Sequence, residues 1–418
     1  MSAVVSKKEV KESWKTPAIM GSIATVIFVF FGILGRPGNV SFQLSGPREL
    51  IQLGNVDLSS QLLGTVSGVM LLLISAYVAI QVRRNNKASI WFSMLFGAIS
   101  LVALLGWLAT ENVVPVAFIL GAALVLSVPI ALGAMAGVMS ERVGVVNIAI
   151  EGQLLTGAFM AAVVSTITGN QFVGLISAMI TAALFSAVLA VMAIRYLAQQ
   201  IIVGVVLNVL AIGITNFLYQ QWLVENESTV NFPGTLPIIS IPFLADIPIL
   251  GPVLFQNRIT VFLSIGIVIL VWFVLFKTKL GLRARSVGEN PLAADTVGIN
   301  VGRTRFWWVT LGGLLAGLGG AALTIGGSGS FGREMSGGLG FIALAVMILG
   351  RWHPIYASAA ALLFGFSIIL RIWANQVSPG IPSDFIIMVP YLVTLIAVVG
   401  FVGRSRPPAA DGIPYVKG

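Results

Sequence analysis

The chain has 418 residues, of which 57% are hydrophobic and 9% are charged, and its mean hydropathy is +0.99. Two or three soluble domains would not have this composition, so the sequence predicts an integral membrane protein. Cysteine is absent, which excludes a disulfide framework, a thiolate nucleophile and a cysteine metal site. With a single histidine, His353, we expect neither a metal site nor a cofactor bound by this chain.

Apolar runs occur along the whole chain, and a helix needs about 20 apolar residues to cross the hydrocarbon. The pattern predicts an all-α polytopic bundle of about 12 spans, with 10 to 13 compatible with the run lengths. The run 339–350 is too short to cross upright, so we expect a re-entrant or broken helix there. The runs are 18–34, 62–80, 90–109, 113–139, 145–167, 172–194, 201–219, 259–276, 306–327, 339–350, 355–370 and 385–403.

The net charge of +9 is explained by topology. Placing the N-terminus in the cytoplasm and alternating through the spans leaves only five basic residues outside, and it predicts a cytoplasmic C-terminus. With no basic soluble domain, nucleic acid is excluded as a partner. The five are Arg36, Arg48, Arg258, Arg333 and Arg371.

The predicted spans divide the chain into segments with different roles. Residues 1–112 form an N-terminal extension with three spans, and residues 113–403 form the core. Within the core, the loop 220–258 is predicted outside, and its prolines prevent a long helix. The loop 277–305 is predicted to be cytoplasmic, as is the tail 404–418.

The cytoplasmic loop contains a short helix with both ends specified. Asn290 is a good N-cap, Pro291 suits the first helical position, and Gly298 suits a left-handed C-terminal cap. So short a helix is unstable alone, so it needs a partner to pack on. Basic residues on both sides, from Lys277 to Arg305, would hold it at anionic lipid head groups. An interfacial helix that merely closes the loop is the alternative.

Three stretches carry recognisable patterns. The stretch 281–306 contains Gly-Glu-Asn-Pro and Ala-Ala-Asp-x-x-Gly-Ile, the stretch 140–152 reads Ser-Glu-Arg-Val-Gly-Val-Val-Asn-Ile-Ala-Ile-Glu-Gly, and the third stretch is 338–350. They resemble the permease subunits of bacterial ABC importers, in the branch for branched-chain amino acids, ribose-type sugars and nucleosides. The first looks like that family's coupling loop, and the second is most similar to the nucleoside and simple-sugar members. The resemblance covers about 113–403 and leaves the role of the first three spans open.

The resemblance implies that the loop helix docks on a cytoplasmic ABC ATPase. The chain has no Gly-x-x-x-x-Gly-Lys-[Ser/Thr] phosphate loop, so a separate partner subunit would use the ATP and Mg²⁺. A second permease, identical or different, and an extracytoplasmic substrate-binding lipoprotein are also implied, and the location is the bacterial cell membrane. The residues expected to couple to the ATPase are Gly288, Glu289, Asn290, Pro291, Ala293, Ala294, Asp295 and Gly298.

Glu151 is the one acidic residue that we place inside a predicted span, where a charge is expensive unless it is paired or hydrated. Asn147 lies four residues earlier, on the same face of a helix, and Gln153 lies on a neighbouring face. Together they could present carbonyls and amides to a polar solute. Alternatively, Glu151 braces a neighbouring broken helix or lies near enough to the interface to be wet.

Asn208 and Asn216 are eight residues apart and share a face of the run 201–219. Amides facing a pathway could recognise a nucleobase edge, because each offers a donor and an acceptor. Bonding between helices is the alternative. A separate hypothesis is an inverted repeat, because residues 144–152 and 338–346 share several identities and run in opposite directions in the predicted topology.

An ATP-driven importer of a nucleoside or ribose-type solute is the leading function. The competing class is an ion-coupled secondary transporter, in which Glu151 would be the coupling carboxylate. No second acid in a predicted span could complete a proton relay in that class. A membrane enzyme is third, because no cluster of carboxylates, histidines or a serine triad stands near an interface.

Overall fold

The computed structural model describes residues 14–46, 49, 51–86, 89–377 and 406–417. Within these ranges, ten helices are long and apolar enough to cross a membrane, which confirms an all-α polytopic membrane protein. The contacts divide the described residues into two compact units. The first takes in residues up to Phe118 and the end of the last described helix from Arg371, and the second takes in Ile119–Leu370 and the described C-terminal residues.

The first unit contains three of the ten helices and a small sheet. Its helices pack around Met20, Ala24, Leu71 and Phe96, and β1 pairs antiparallel with β2 and parallel with β3. The elements are α1 Lys15–Val26, which continues as a π-helical segment at Ile27–Ile33, α2 Ser60–Arg83 and α3 Ile90–Leu108, with strands β1 Asn39–Gln43, β2 Val56–Ser59 and β3 Val113–Pro115.

The second unit is built around two central helices, α5 and α12, which are the most buried of the ten. Their backbones approach closely at two glycines: a Cβ added to Gly157 would lie only 2.9 Å from the Gly317 Cα. Small residues at such a crossing allow tight packing of helices in a membrane. The long helices of this region are α4 Val116–Glu141, α5 Ile150–Thr168, α6 Gln171–Ile194, α7 Gln200–Leu218, α9 Ile259–Lys277, α12 Val301–Leu323 and α14 Pro354–Val377.

The remaining elements are short. The helix α13 has 11 residues, about half the length needed to cross the hydrocarbon, which confirms that the run 339–350 is not an upright span. The last predicted span, 385–403, lies outside the described residues. The short elements are α8 Glu227–Val230, α10 Lys279–Glu289, α11 Pro291–Thr296, α13 Leu339–Leu349, β4 Ile238–Ser240 and β5 Gln256–Arg258, with π-helical segments at Tyr219–Leu223, Gly251–Phe255 and Thr324–Ser328.

The predicted loop 220–258 contains one short α-helical turn, two π-helical turns and a two-stranded ribbon of β4 and β5. Its prolines account for this, since each removes a backbone donor and disfavours helix before it. The absence of a long helix there was correctly predicted. Nearby, the predicted span 145–167 begins late: α5 starts at Ile150, and residues 145–149 enter it as turn and irregular chain.

Candidate functional site

The predicted loop helix is present as α11, with the predicted caps. Asn290 Oδ1 accepts a hydrogen bond from the Ala293 N–H at 3.0 Å, and Pro291 occupies the first position. Gly298 has φ of +83°, which is the left-handed conformation expected after a helix end. All three end signals were therefore read correctly from the sequence.

A second helix, α10, precedes α11 and was not predicted. Thr278 caps it, because its Oγ1 accepts from the Gly281 N–H at 3.2 Å. Gly288 lies so close to the end of α4 that a Cβ would overlap the Arg142 carbonyl oxygen. The signal for α10 was the Thr278 cap followed by Ala284, Val287 and Gly288, which are the buried face of this helix.

One residue of α11 does not lie where the prediction needs it, on the face open to a partner. Ala294 is 2% exposed and packs in the core with Val143 and Val301, so it is not available to a docking partner. Leu292 is 64% exposed and Val297 is 75% exposed. The apolar side chains that α11 presents outward are therefore Leu292 and Val297, with Ala293 exposed between them. The sequence pointed to the small residues Ala293 and Ala294, because it does not show which face of α11 packs against the rest of the protein.

The other residues predicted to couple to the ATPase lie at the end of α10 and within α11. Glu289 is exposed at the end of α10, and Gly288 is buried beside it. Asp295 lies 4.0 Å from Lys417 Nζ through its Oδ1. The residues predicted to couple to the ATPase thus form one short segment from the end of α10 through α11.

Glu151 lies in the first turn of α5 and is 5% exposed. Its Oε1 accepts from the Gly338 N–H at 2.8 Å, and its Oε2 accepts from the Gly340 N–H at 2.6 Å. The residue before α13 is glycine, which has no side chain to cap the helix, so the Glu151 carboxylate supplies that cap from another helix. The contacts are those of the bracing alternative, in which Glu151 holds a broken helix.

Asn147 and Gln153 form a reciprocal amide pair that is fully buried. Each Nδ2 or Nε2 donates to the other side chain's oxygen at 3.2 Å. The prediction that Asn147 shares a helical face with Glu151 is wrong, because Asn147 precedes the start of α5. The pair instead fixes the irregular segment that leads into the helix.

Asn208, on α7, bonds to the same region from the other side. Its Oδ1 accepts from the Gly152 N–H, and its Nδ2 donates to the Ile148 carbonyl, both at 2.8 Å. The amide thus joins two helices, as the interhelical alternative requires. Asn208 is 4% exposed, and both of its polar atoms are occupied.

Asn216 lies two turns further along α7 and differs from Asn208. Its Nδ2 donates to Glu334 Oε1 at 2.8 Å, whereas its Oδ1 is buried without a hydrogen-bond partner among the described residues. A buried carbonyl oxygen with no donor costs free energy unless something else supplies one. Of the five predicted pathway residues, Asn216 is the one with a buried side-chain polar atom that has no hydrogen-bond partner among the described residues.

Two residues of the Ser-Glu-Arg-Val-Gly stretch join elements in a way that the sequence did not reveal. Glu141 Oε2 accepts from the Trp352 Nε1–H at 2.6 Å, and Arg142 Nε donates to the Trp352 carbonyl at 3.0 Å. The end of α4 is thereby held to the turn after α13. The stretch itself was recognised, but no pattern in the sequence names Trp352 as the partner.

The family model described as branched-chain amino acid transport system / permease component matches residues 119–398. The match covers more than half of the chain, including α10, α11 and the Glu151 region. The chain belongs to this family. It is therefore a multi-pass protein of the cell membrane, and the match begins directly after Phe118, where the first unit's N-terminal part ends.

Relatives of this permease carry names of nucleoside transporters. The guanosine ABC transporter permease protein NupQ of Bacillus subtilis (strain 168) is 41% identical over 72% of this chain and 97% of its own length. The nucleoside ABC transporter permease protein NupC of Lactococcus lactis subsp. cremoris (strain MG1363) is 40% identical over 70% of this chain and 95% of its own. The same Bacillus strain has a second guanosine ABC transporter permease protein, NupP, 25% identical over 84% of this chain and 94% of its own. No solved structure matches this permease.

Proposed function

We propose that this permease is the transmembrane subunit of an ABC importer for nucleosides. The observation that carries the proposal is α11, a capped helix in a polar loop that exposes Leu292 and Val297 instead of burying them. Exposed apolar side chains on a rigid element are typical of an interface with a partner. The relatives named for guanosine and nucleoside transport support the solute class.

The partner at α11 is a cytoplasmic ABC ATPase in this proposal, and that subunit uses ATP and Mg²⁺. This permease contributes no phosphate loop, so the energy of hydrolysis must arrive through the loop. Closure of the ATPase would move α11 together with α10, and Gly288 passes the movement to the end of α4 through its contact with Arg142. The outcome is alternating access of a path between the helices.

In this proposal the path runs past Asn216. Its Oδ1 would accept a hydrogen bond from a nucleoside hydroxyl or amine, because it is buried without a partner among the described residues. Glu151, Asn147, Gln153 and Asn208 act one step removed, because their bonds hold the start of α5 and α13 that would border the path.

The assembly would contain two permease chains, since each supplies one coupling loop. The presence of both NupP and NupQ in one Bacillus strain supports a second, different permease as the partner. A substrate-binding lipoprotein would deliver the solute to the segment 220–258.

The test is uptake of labelled guanosine by proteoliposomes that contain this permease, its ATPase, the second permease and the binding protein. We expect uptake that requires ATP and continues when ionophores collapse the proton and sodium gradients. Uptake that stops when the ion gradients are collapsed and does not depend on ATP would overturn the proposal in favour of an ion-coupled transporter. Ribose competing as well as guanosine would correct the solute class.

A further inference from the structure

The described C-terminal residues 406–417 lie against the loop that carries α11. The Ala410 N–H donates to the Gly288 carbonyl at 2.9 Å, and the Ala409 N–H donates to Glu289 Oε2 at 3.3 Å. Arg305 Nη1 donates to the Ile413 carbonyl at 3.0 Å. The segment therefore contacts both α10 and α12, each time through one of its own backbone groups.

Two glycines of the recognised sequence patterns make room for this segment. A Cβ on Gly144 would lie 2.8 Å from the Ala410 carbonyl oxygen and 2.8 Å from Arg305 Nη2, and Gly144 has φ of +83°. Gly288, whose carbonyl binds Ala410, is itself pressed against the Arg142 carbonyl. The end of α4, the end of α10 and the C-terminal residues thus meet at one point.

Buried ionisable side chains lie where the C-terminal residues meet the ends of α4 and α10. Arg305 is 2% exposed, so it does not face lipid head groups as the sequence suggested, and it binds the C-terminal segment instead. The Asp411 carboxyl lies near the Glu141 carboxyl at the end of α4, and its Oδ1 is buried without a hydrogen-bond partner among the described residues. Beyond them, Lys417 lies 4.0 Å from Asp295 of α11.

We propose that residues 406–417 are a positioning element, the C-terminal clasp, which fixes α10 and α11 to α4 and α12 for transmission of the ATPase movement. The proposal rests on the proposed function. Its physical basis is the size of α11, since a six-residue helix has too few contacts of its own to transmit a force. The clasp joins α10, α11 and their neighbours into one body.

The clasp responds to pH through Asp411. Burial raises the pKa of Asp411 to about 7, against the attraction of Arg305 on α12. The charged and titratable groups that face the segment are Glu141 and Arg305 beside Asp411, and Glu289 and Asp295 beside its ends. Because the docked pKa is raised, docking is strongest below the ordinary pKa of 3.8 and weakens as pH rises to about 7. Between pH 6 and pH 8 the docking equilibrium falls about tenfold.

The first experiment tests where the segment lies. The chain has no cysteine, so an engineered pair reports without background. Ala409→Cys with Glu289→Cys, both exposed, should form a disulfide in the assembled complex. The matched control pairs Ala409→Cys with Leu282→Cys, which is exposed on α10 about 10 Å further along the helix and beyond disulfide reach. Equal cross-linking of the two pairs would overturn the docked position.

The second experiment tests pH and transmission. Labelling of a lone Ala410→Cys by maleimide, relative to Leu282→Cys, should rise about tenfold from pH 6 to pH 8. Adding Asp411→Asn, which keeps a neutral side chain, should leave that labelling constant. The number of guanosine molecules taken up per ATP hydrolysed should fall about fivefold on deletion of residues 406–418. The disulfide-locked pair should keep a high ratio at both pH values.

An unchanged ratio in the deletion variant, or the same pH response in Asp411→Asn as in the parent, would overturn the clasp. If the deletion variant fails to insert, the locked pair and Asp411→Asn decide the matter alone. Cross-linking and labelling need no transport. If they succeed while no variant shows ATP-driven uptake, the proposed function fails and the clasp position stands.

Discussion

The Glu151 region and the α11 loop are both conspicuous in the sequence, yet their chemistry is opposite. At Glu151, a charge is buried and both carboxylate oxygens accept backbone N–H bonds from the start of α13. At α11, apolar side chains are exposed on a polar loop. A buried carboxylate with both oxygens bonded stabilises structure, whereas exposed apolar area on a rigid helix is typical of an interface with a partner.

The largest expected effect comes from adding a side chain at Gly340, where α13 packs against Glu151. Gly340→Val would place a Cβ on the Glu151 backbone, so α13 and α5 must separate, at a cost of about 3 kcal/mol. Purified protein should show a strongly lowered melting temperature or little folded yield. Gly213→Ala, on a helix position with open space, is the control and should melt as the parent does.

A smaller effect follows from removing the charge alone. Glu151→Gln replaces one accepting oxygen by an NH₂ group, which leaves the Gly338 or Gly340 N–H buried without an acceptor and costs about 2 kcal/mol. Thermal unfolding should detect this loss, while Glu225→Gln at an exposed site should not change it. Full stability with lost uptake would instead place Glu151 in direct contact with the solute.

The α11 loop should show the reverse pattern. Leu292→Ser with Val297→Ser should leave the melting temperature unchanged and lower the affinity for the ATPase about tenfold or more, as at other interface anchors. Co-purification and ATP-driven uptake measure the effect. Ala294→Leu is the matched contrast, because that site is buried and the substitution should lower stability as well. Normal ATPase binding by the double variant would remove α11 as the docking site.

The smallest effect belongs to the end of the clasp. Lys417 and Asp295 are 4.0 Å apart, and Lys417 is largely exposed, so Lys417→Ala should change stability by less than about 0.5 kcal/mol. The thermal midpoint at low and high salt checks this. A large loss would mean that the backbone bonds of Ala410 and Ile413 hold less of the segment than we infer.

Much of the architecture was readable from the sequence. The ten described spans, the short helix after Gly338 and the capped helix at Pro291 follow from apolar length and from local end signals. The site was less readable. The sequence suggested Glu151 and Ala294 as contact residues, but their partners lie far along the chain, at Gly338 and Val143, and no local rule gives such pairs.

The sequence by itself determined that this chain crosses the membrane many times, where the short helix α11 begins and ends, and which family it resembles. These properties depend on composition and on neighbours within a few residues. Only the tertiary structure decided that Glu151 caps α13, that α11 turns Leu292 and Val297 outward, and that the C-terminal residues lie on α10. Burial and hydrogen bonding between distant segments are properties of packing, and packing is set by the whole chain at once.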